Sequence, residues 1–164
     1  MSSMASSLAG TRTLWFLFAA TLALSCSFPL VASYWQLTLL DGITSPADAR
    51  SLLDHFTPHQ KMIHVWITAT LDVAYPLAYG GLFAGSALRV FTRHGRYLAV
   101  PAFLVIPTDL IEGVVQILAL TGTADWLGLK SIVTPAKFLL FGLALCIAAI
   151  AWATWLYRRT SGRS

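Results

Sequence analysis

Charge is what this sequence has least of: 11 Lys and Arg and 7 Asp and Glu among 164 residues, with a mean hydropathy of +0.70. A soluble domain carries about a quarter charged residues, and one of this length has no core large enough to hide so apolar a chain, so a soluble fold is excluded. Cysteine is nearly absent. Cys26 and Cys146 stand far apart with no CxxC, which excludes membrane disulfide exchange in its usual form and leaves both as small packing residues. No run alternates apolar and polar residues over about ten positions, so transmembrane strands are not expected. No third ligand joins His55 and His59, which Pro58 separates, so neither a metal nor another cofactor is expected. Nothing resembling a nucleic-acid module surrounds Arg89, Arg93 and Arg96; these fit anchoring to anionic lipid.

What the sequence has is long apolar runs. A helix crossing a bilayer needs about 20 mostly apolar residues, and four such runs fall at about 13–37, 62–88, 97–121 and 131–157. The expected fold is all-α: a four-transmembrane-helix bundle in a single membrane domain over 13–157, with a short N-terminus (1–12) and a basic tail (158–164). Arg12, Arg89, Arg93, Arg96, Arg158, Arg159 and Arg163 fall on one side, against Arg50, Lys61 and Lys130 on the other. Positive charge faces the cytoplasm, so both termini are expected there. An alternative for the first run is a signal peptide ending at Ala23-Leu24-Ser25, against which the apolar character continues to Leu40.

The one long connection contains Ser45-Pro46-Ala47-Asp48, an N-cap, a proline at the first helical position and an acid in the first turn. A short interfacial helix from Pro46 to about Phe56 follows, with Leu52, Leu53 and Phe56 on its apolar side. Either it lies on the outer membrane surface as a lid or it is a plain connector.

Ionisable groups inside the apolar runs carry the functional information, because each costs about 2.5–3.5 kcal/mol at the bilayer centre. The second run presents His64, Thr68, Asp72, Tyr75 and Tyr79 at helical spacing; the third presents Asp109, Glu112 and Gln116, flanked by Thr108; the fourth presents Thr134 and Lys137. At about 1.5 Å per residue, Asp72, Asp109, Glu112 and Lys137 all lie about 10–20 Å from the outer ends and are expected to converge. Three carboxyls against one lysine leave two negatives unpaired. The expectation is a protonated carboxyl, with the Asp109/Glu112 pair titrating jointly, a charged His64, or a bound cation or amine. Pro76, Pro101 and Pro107 bend the helices beside the acids. Trp66 is expected over the outer mouth, and Gly81 and Gly85 give a GxxxG spacing that serves packing within the chain first and a homo-oligomer second.

The order Ser45-Pro46, Asp48-Ala49-Arg50, Leu52-Leu53-Asp54, then Leu71-Asp72 with Tyr75-Pro76-Leu77 and Tyr79-Gly80, then Asp109 and Glu112, then Lys137 resembles a family of small four-helix membrane proteins with no assigned activity, over about residues 40–145. In that family Asn often follows the glutamate; here Gly113 does. In helix count and buried acids the chain is also similar, more loosely, to the sterol isomerase and sigma-2 receptor group, in which bundle carboxylates protonate a sterol double bond or bind lipophilic amines.

Three functions remain in play. The chain binds or acid–base converts a small lipophilic, isoprenoid- or sterol-like molecule, with the Asp109/Glu112 pair as general acid, Asp72 as base or counter-ion, Lys137 within the same cluster, and His64, Trp66, Thr68, Tyr75, Tyr79, Gln116 and Thr134 around it. Alternatively it is a proton- or cation-coupled transporter, or a structural or accessory subunit whose cluster sets packing. Membrane lipid is the expected partner in all three.

Overall fold

The computed structural model describes residues 7–91 and 93–161; Arg163 of the basic tail and the first six residues of the N-terminus lie outside them. Among the described residues, five helices of eight residues or more follow in order: α1 (Thr11–Trp35), α2 (Pro46–His55), α3 (Pro58–Val90), α4 (Val100–Leu120) and α5 (Lys130–Thr160). Turns at Leu40–Gly42, Gly95–Leu98 and Leu127–Leu129 connect them, and there is no strand among the described residues.

Among the described residues, three segments are long and apolar enough to cross a membrane: Thr11–Trp35, Gly95–Leu120 and Leu127–Thr160. The sequence reading expected four. The helix left out, α3, packs against α1, α4 and α5, whereas α1 makes extended contact with α3 alone. A helix enclosed by its neighbours needs small and polar residues where the others carry aliphatic side chains toward lipid. Accordingly α3 buries His64, Thr68, Gly80, Ala84, Gly85, Ser86 and Ala87, while Phe16, Leu30, Ile132 and Leu139 of α1 and α5 are two-thirds exposed or more. Such outward apolar surface is stable against lipid and not against water.

The glycines of α3 work within the chain. A methyl group at Gly80 would meet Ile106 of α4 at 2.6 Å, and one at Gly85 would meet the Leu8 carbonyl at 2.6 Å. Both Cys26 and Cys146 are exposed on the outward faces, which corrects their reading as packing residues.

Local chemistry explains the end of the bundle that carries α2. Ser45 caps α2 by accepting from the Asp48 N–H at 3.3 Å, with Pro46 in the first turn. Thr57 and Gln60 form a reciprocal capping box on α3, also with a proline at the start, so α3 begins at Pro58 and not near Met62. His55 and His59 thereby fall on different helices, and no group of three metal-ligating side chains forms among the described residues. Ala49 and Leu53 are the buried face of α2, packed with Leu40, Val115, Leu120 and Leu127. The helix thus caps the bundle end, with Leu52 and Phe56 only partly buried. An exposed Arg50–Asp125 pair at 2.7 Å ties it to the connection after α4.

Candidate functional site

Beneath α2, the polar faces of α3, α4 and α5 meet. Glu112 of α4 is 1% exposed and lies between two lysines of α5: Lys130 Nζ donates to its Oε1 at 2.6 Å, and Lys137 Nζ contacts its Oε2. Thr134 Oγ1 donates to the same Oε1. Lys137 also reaches Asp109 Oδ1 at 3.0 Å, and Tyr79 donates its hydroxyl proton to Asp109 Oδ2 at 2.7 Å. Two acids, two lysines, a tyrosine and a threonine thus form one connected knot.

Two members of the cluster were not expected there. Lys130, read as a charge at a span end, is fully buried. Its signal was its register: Lys130, Thr134 and Lys137 are spaced by four and three and share a helix face. Asp41, read as an acid outside the membrane, is folded in by the turn Leu40–Gly42. It accepts from Gln116 Nε2 at 3.1 Å and lies 4.0 Å from Lys137. Nothing in its local sequence distinguishes it.

Asp72 stands apart. Partly buried, it forms no ion pair, and its Oδ2 is buried with no hydrogen-bond partner. The remaining acids without an ion pair among the described residues, Asp48 and Asp54, are exposed. Among the alternatives the sequence left open, a protonated carboxyl was expected first within the Asp109/Glu112 pair. The geometry sets both of those against a lysine, Lys137 being shared by Glu112, Asp109 and Asp41, so the carboxyl of the cavity that forms no ion pair is Asp72.

Asp72 lines a cavity of about 260 Å³ together with Asp41, Asp109 and Lys137. Aromatic rings of three helices surround them: Phe28 from α1, Tyr75 and Tyr79 from α3, and Phe138 and Phe141 from α5. Phe28 and Tyr75 meet edge to face at 5.4 Å, and the Tyr75 and Ser25 hydroxyls are 3.1 Å apart, which fixes α1 on α3. On the far side, α1 and α5 touch through Trp15 and Trp152, 6.2 Å apart, and Trp152 donates to Ser86 Oγ at 3.1 Å. The cavity therefore lies in the cleft between α1 and α5, two helices that make no extended contact. Toward the end of α3 that carries Arg89 it is closed by the packed rings of Tyr79, Phe83 and Phe141.

The other expected residues divide. Gln116 and Thr134 are buried in or beside the knot, and His64 and Thr68 are buried farther along α3 toward α2. Trp66 is 65% exposed and does not join them, because a step of two residues turns a helix by about 200° and puts it opposite the polar face. Thr108 donates back to the Leu104 carbonyl of its own helix. Outside the spans, the hydrogen bond from Arg50, then that from the Leu127 N–H, holds the Asp125 carboxyl below the usual carboxylate range.

No family model, curated protein or solved structure matches the chain. The resemblances read from the sequence therefore add no residue role, and function rests on the cavity.

Proposed function

We propose that the chain crosses the bilayer four times, with both termini cytoplasmic, and binds a small lipophilic, isoprenoid-like guest to which a protonated Asp72 donates. The observation that carries this reading is the cavity in which Asp72 meets aromatic rings and forms no ion pair, the one lysine of the lining, Lys137, being engaged by Asp109 and Glu112. A lone ionised carboxylate in a low dielectric is unstable, and an uncharged carboxyl among apolar groups is the form that protonates or hydrogen-bonds a guest. Tyr75, Tyr79, Phe138 and Phe141 offer ring faces that stabilise positive charge developing on the guest. Ligand pockets run to about 300–1,000 Å³, so a cavity at the small end suits one end of an elongated molecule, its tail left in the cleft between α1 and α5.

The same features support the topology. α3 is long enough to span, and its lower hydropathy follows from its interior place. Arg12, Arg89, Arg93, Arg96, Arg158 and Arg159 gather where the start of α1 meets the ends of α3 and α5. Against a transporter stands the ring packing of Tyr79, Phe83 and Phe141, which interrupts a polar route toward those arginines.

Mass spectrometry of lipophiles retained by protein purified without delipidation tests the proposal. A specific compound enriched with the wild type and lost from Asp72→Asn, with the variant still folded, is the expected result. Equal retention of bulk lipid alone by both proteins would remove the guest.

A further inference from the structure

Along α3, from the capped outer end inward, His64, Thr68 and Asp72 follow one another at intervals of four residues, about 6 Å of helix each. His64 is 0% and Thr68 1% exposed. Both ring nitrogens of His64, Thr68 Oγ1 and Asp72 Oδ2 are buried with no hydrogen-bond partner, as is Gln116 Oε1 of the adjoining α4. An unpartnered buried polar group is costly, and one helix face carrying four such atoms in a row is not a packing arrangement. Both lysines near them are committed to Glu112. What remains able to satisfy these atoms is small, neutral and both donor and acceptor, which is water.

We infer that His64, Thr68 and Asp72 form a water-bridged proton path that reloads the Asp72 carboxyl from the side capped by α2. The inference rests on the proposed role of Asp72 as a proton-holding acid and supplies its source of protons. Imidazole suits the first position because one ring nitrogen accepts a proton while the other releases one. In the forward direction, a water beyond α2 gives a proton to one nitrogen of His64 and the second nitrogen gives up its own to a bridging water. The Thr68 hydroxyl passes one on in the same way, and the last transfer forms an O–H bond on the Asp72 carboxylate. The net change is one proton moved from outer water to Asp72, leaving hydroxide to be neutralised outside. Phe56, following the last turn of α2, lies against His64 with its ring 5.8 Å away, and outer water reaches the imidazole when that contact opens. The charged groups acting on His64 are Asp41 from the turn after α1 and Lys130 from α5; on Asp72 they are Asp41, Asp109 and Lys137, and the Thr68 hydroxyl adjoins its carboxyl.

Infrared spectroscopy of the full chain in bilayers tests this, following the carboxylic-acid carbonyl band that disappears in Asp72→Asn as the sample is transferred into heavy water. The band is expected to shift rapidly in the wild type and in Thr70→Val, whose residue bonds the Trp66 carbonyl outside the stripe. His64→Phe and the near-isosteric Thr68→Val should each slow the shift at least tenfold with the band itself retained. Unchanged exchange in a folded Thr68→Val, or equal slowing in Thr70→Val, would overturn the path while leaving Asp72 as the acid. If Asp72→Asn removes no acid band from the wild-type spectrum, both the path and the acid role fall.

Discussion

Glu112 and Asp72 are two carboxyls on neighbouring helices of one bundle, and their surroundings are opposite. Glu112 is enclosed, with two lysines and a threonine directed at it. Asp72 borders open space and aromatic rings and forms no ion pair, Lys137 of the same lining being taken up by Asp109 and Glu112. Two lysines on one glutamate exceed what a single negative charge needs, and the second is shared with Asp109. The knot joins α4 to α5 and, through Tyr79, to α3, so it sets their register. Asp72 joins nothing. A buried charge fully paired is a packing device; one left without its pair beside a cavity has to be accounted for by what enters the cavity.

Removing each carboxyl in turn breaks the comparison most directly. Glu112→Ala leaves the buried Lys130 without a counter-ion and Lys137 with Asp109 alone, and breaking a buried pair costs about 3–5 kcal/mol. The variant should fail to fold or lose most of its thermal stability in detergent. Asp72→Asn should keep wild-type stability, since the amide replaces a group with no protein partner. Comparable losses in both variants would erase the distinction between the sites.

The smallest effect belongs to the exposed Arg50–Asp125 pair holding α2 to the connection after α4. Because Arg50 holds the Asp125 carboxyl below its usual range, the pair's contribution is present above the ordinary carboxylate pKa and is lost as pH falls through the lowered value. The melting temperature of Arg50→Ala should therefore sit slightly below wild type at neutral pH, with the gap closing in acid and in high salt. A gap that persists in both would show that Arg50 works through packing instead.

Much of this arrangement was legible in the sequence where one physical cause acts locally. The Ser45-Pro46-Ala47-Asp48 cap placed α2, and the intervals among Asp72, Tyr75 and Tyr79 put three polar residues on the face that lines the cavity. The interior place of α3 was not, because a helix enclosed by others differs from an exposed one in its neighbours, and composition records that only as lower hydropathy. Lys130 was hidden by its place at a helix start, where a lysine ordinarily reaches water. Asp41 depends on how the chain turns at Leu40–Gly42, a tertiary event with no periodic signal. Which acid forms no ion pair followed from those two residues, so Asp72 could not be singled out until they were placed.

The most direct test of the account is reaction of the protein in bilayers with a hydrophobic carbodiimide, which adds to protonated carboxyls reached from the lipid and passes over ionised ones, with the modified residue located by peptide mass spectrometry. The account predicts that Asp72 is modified and Glu112 is not, and that the label disappears in Asp72→Asn. Modification of Glu112 or Asp109 with Asp72 untouched would contradict it.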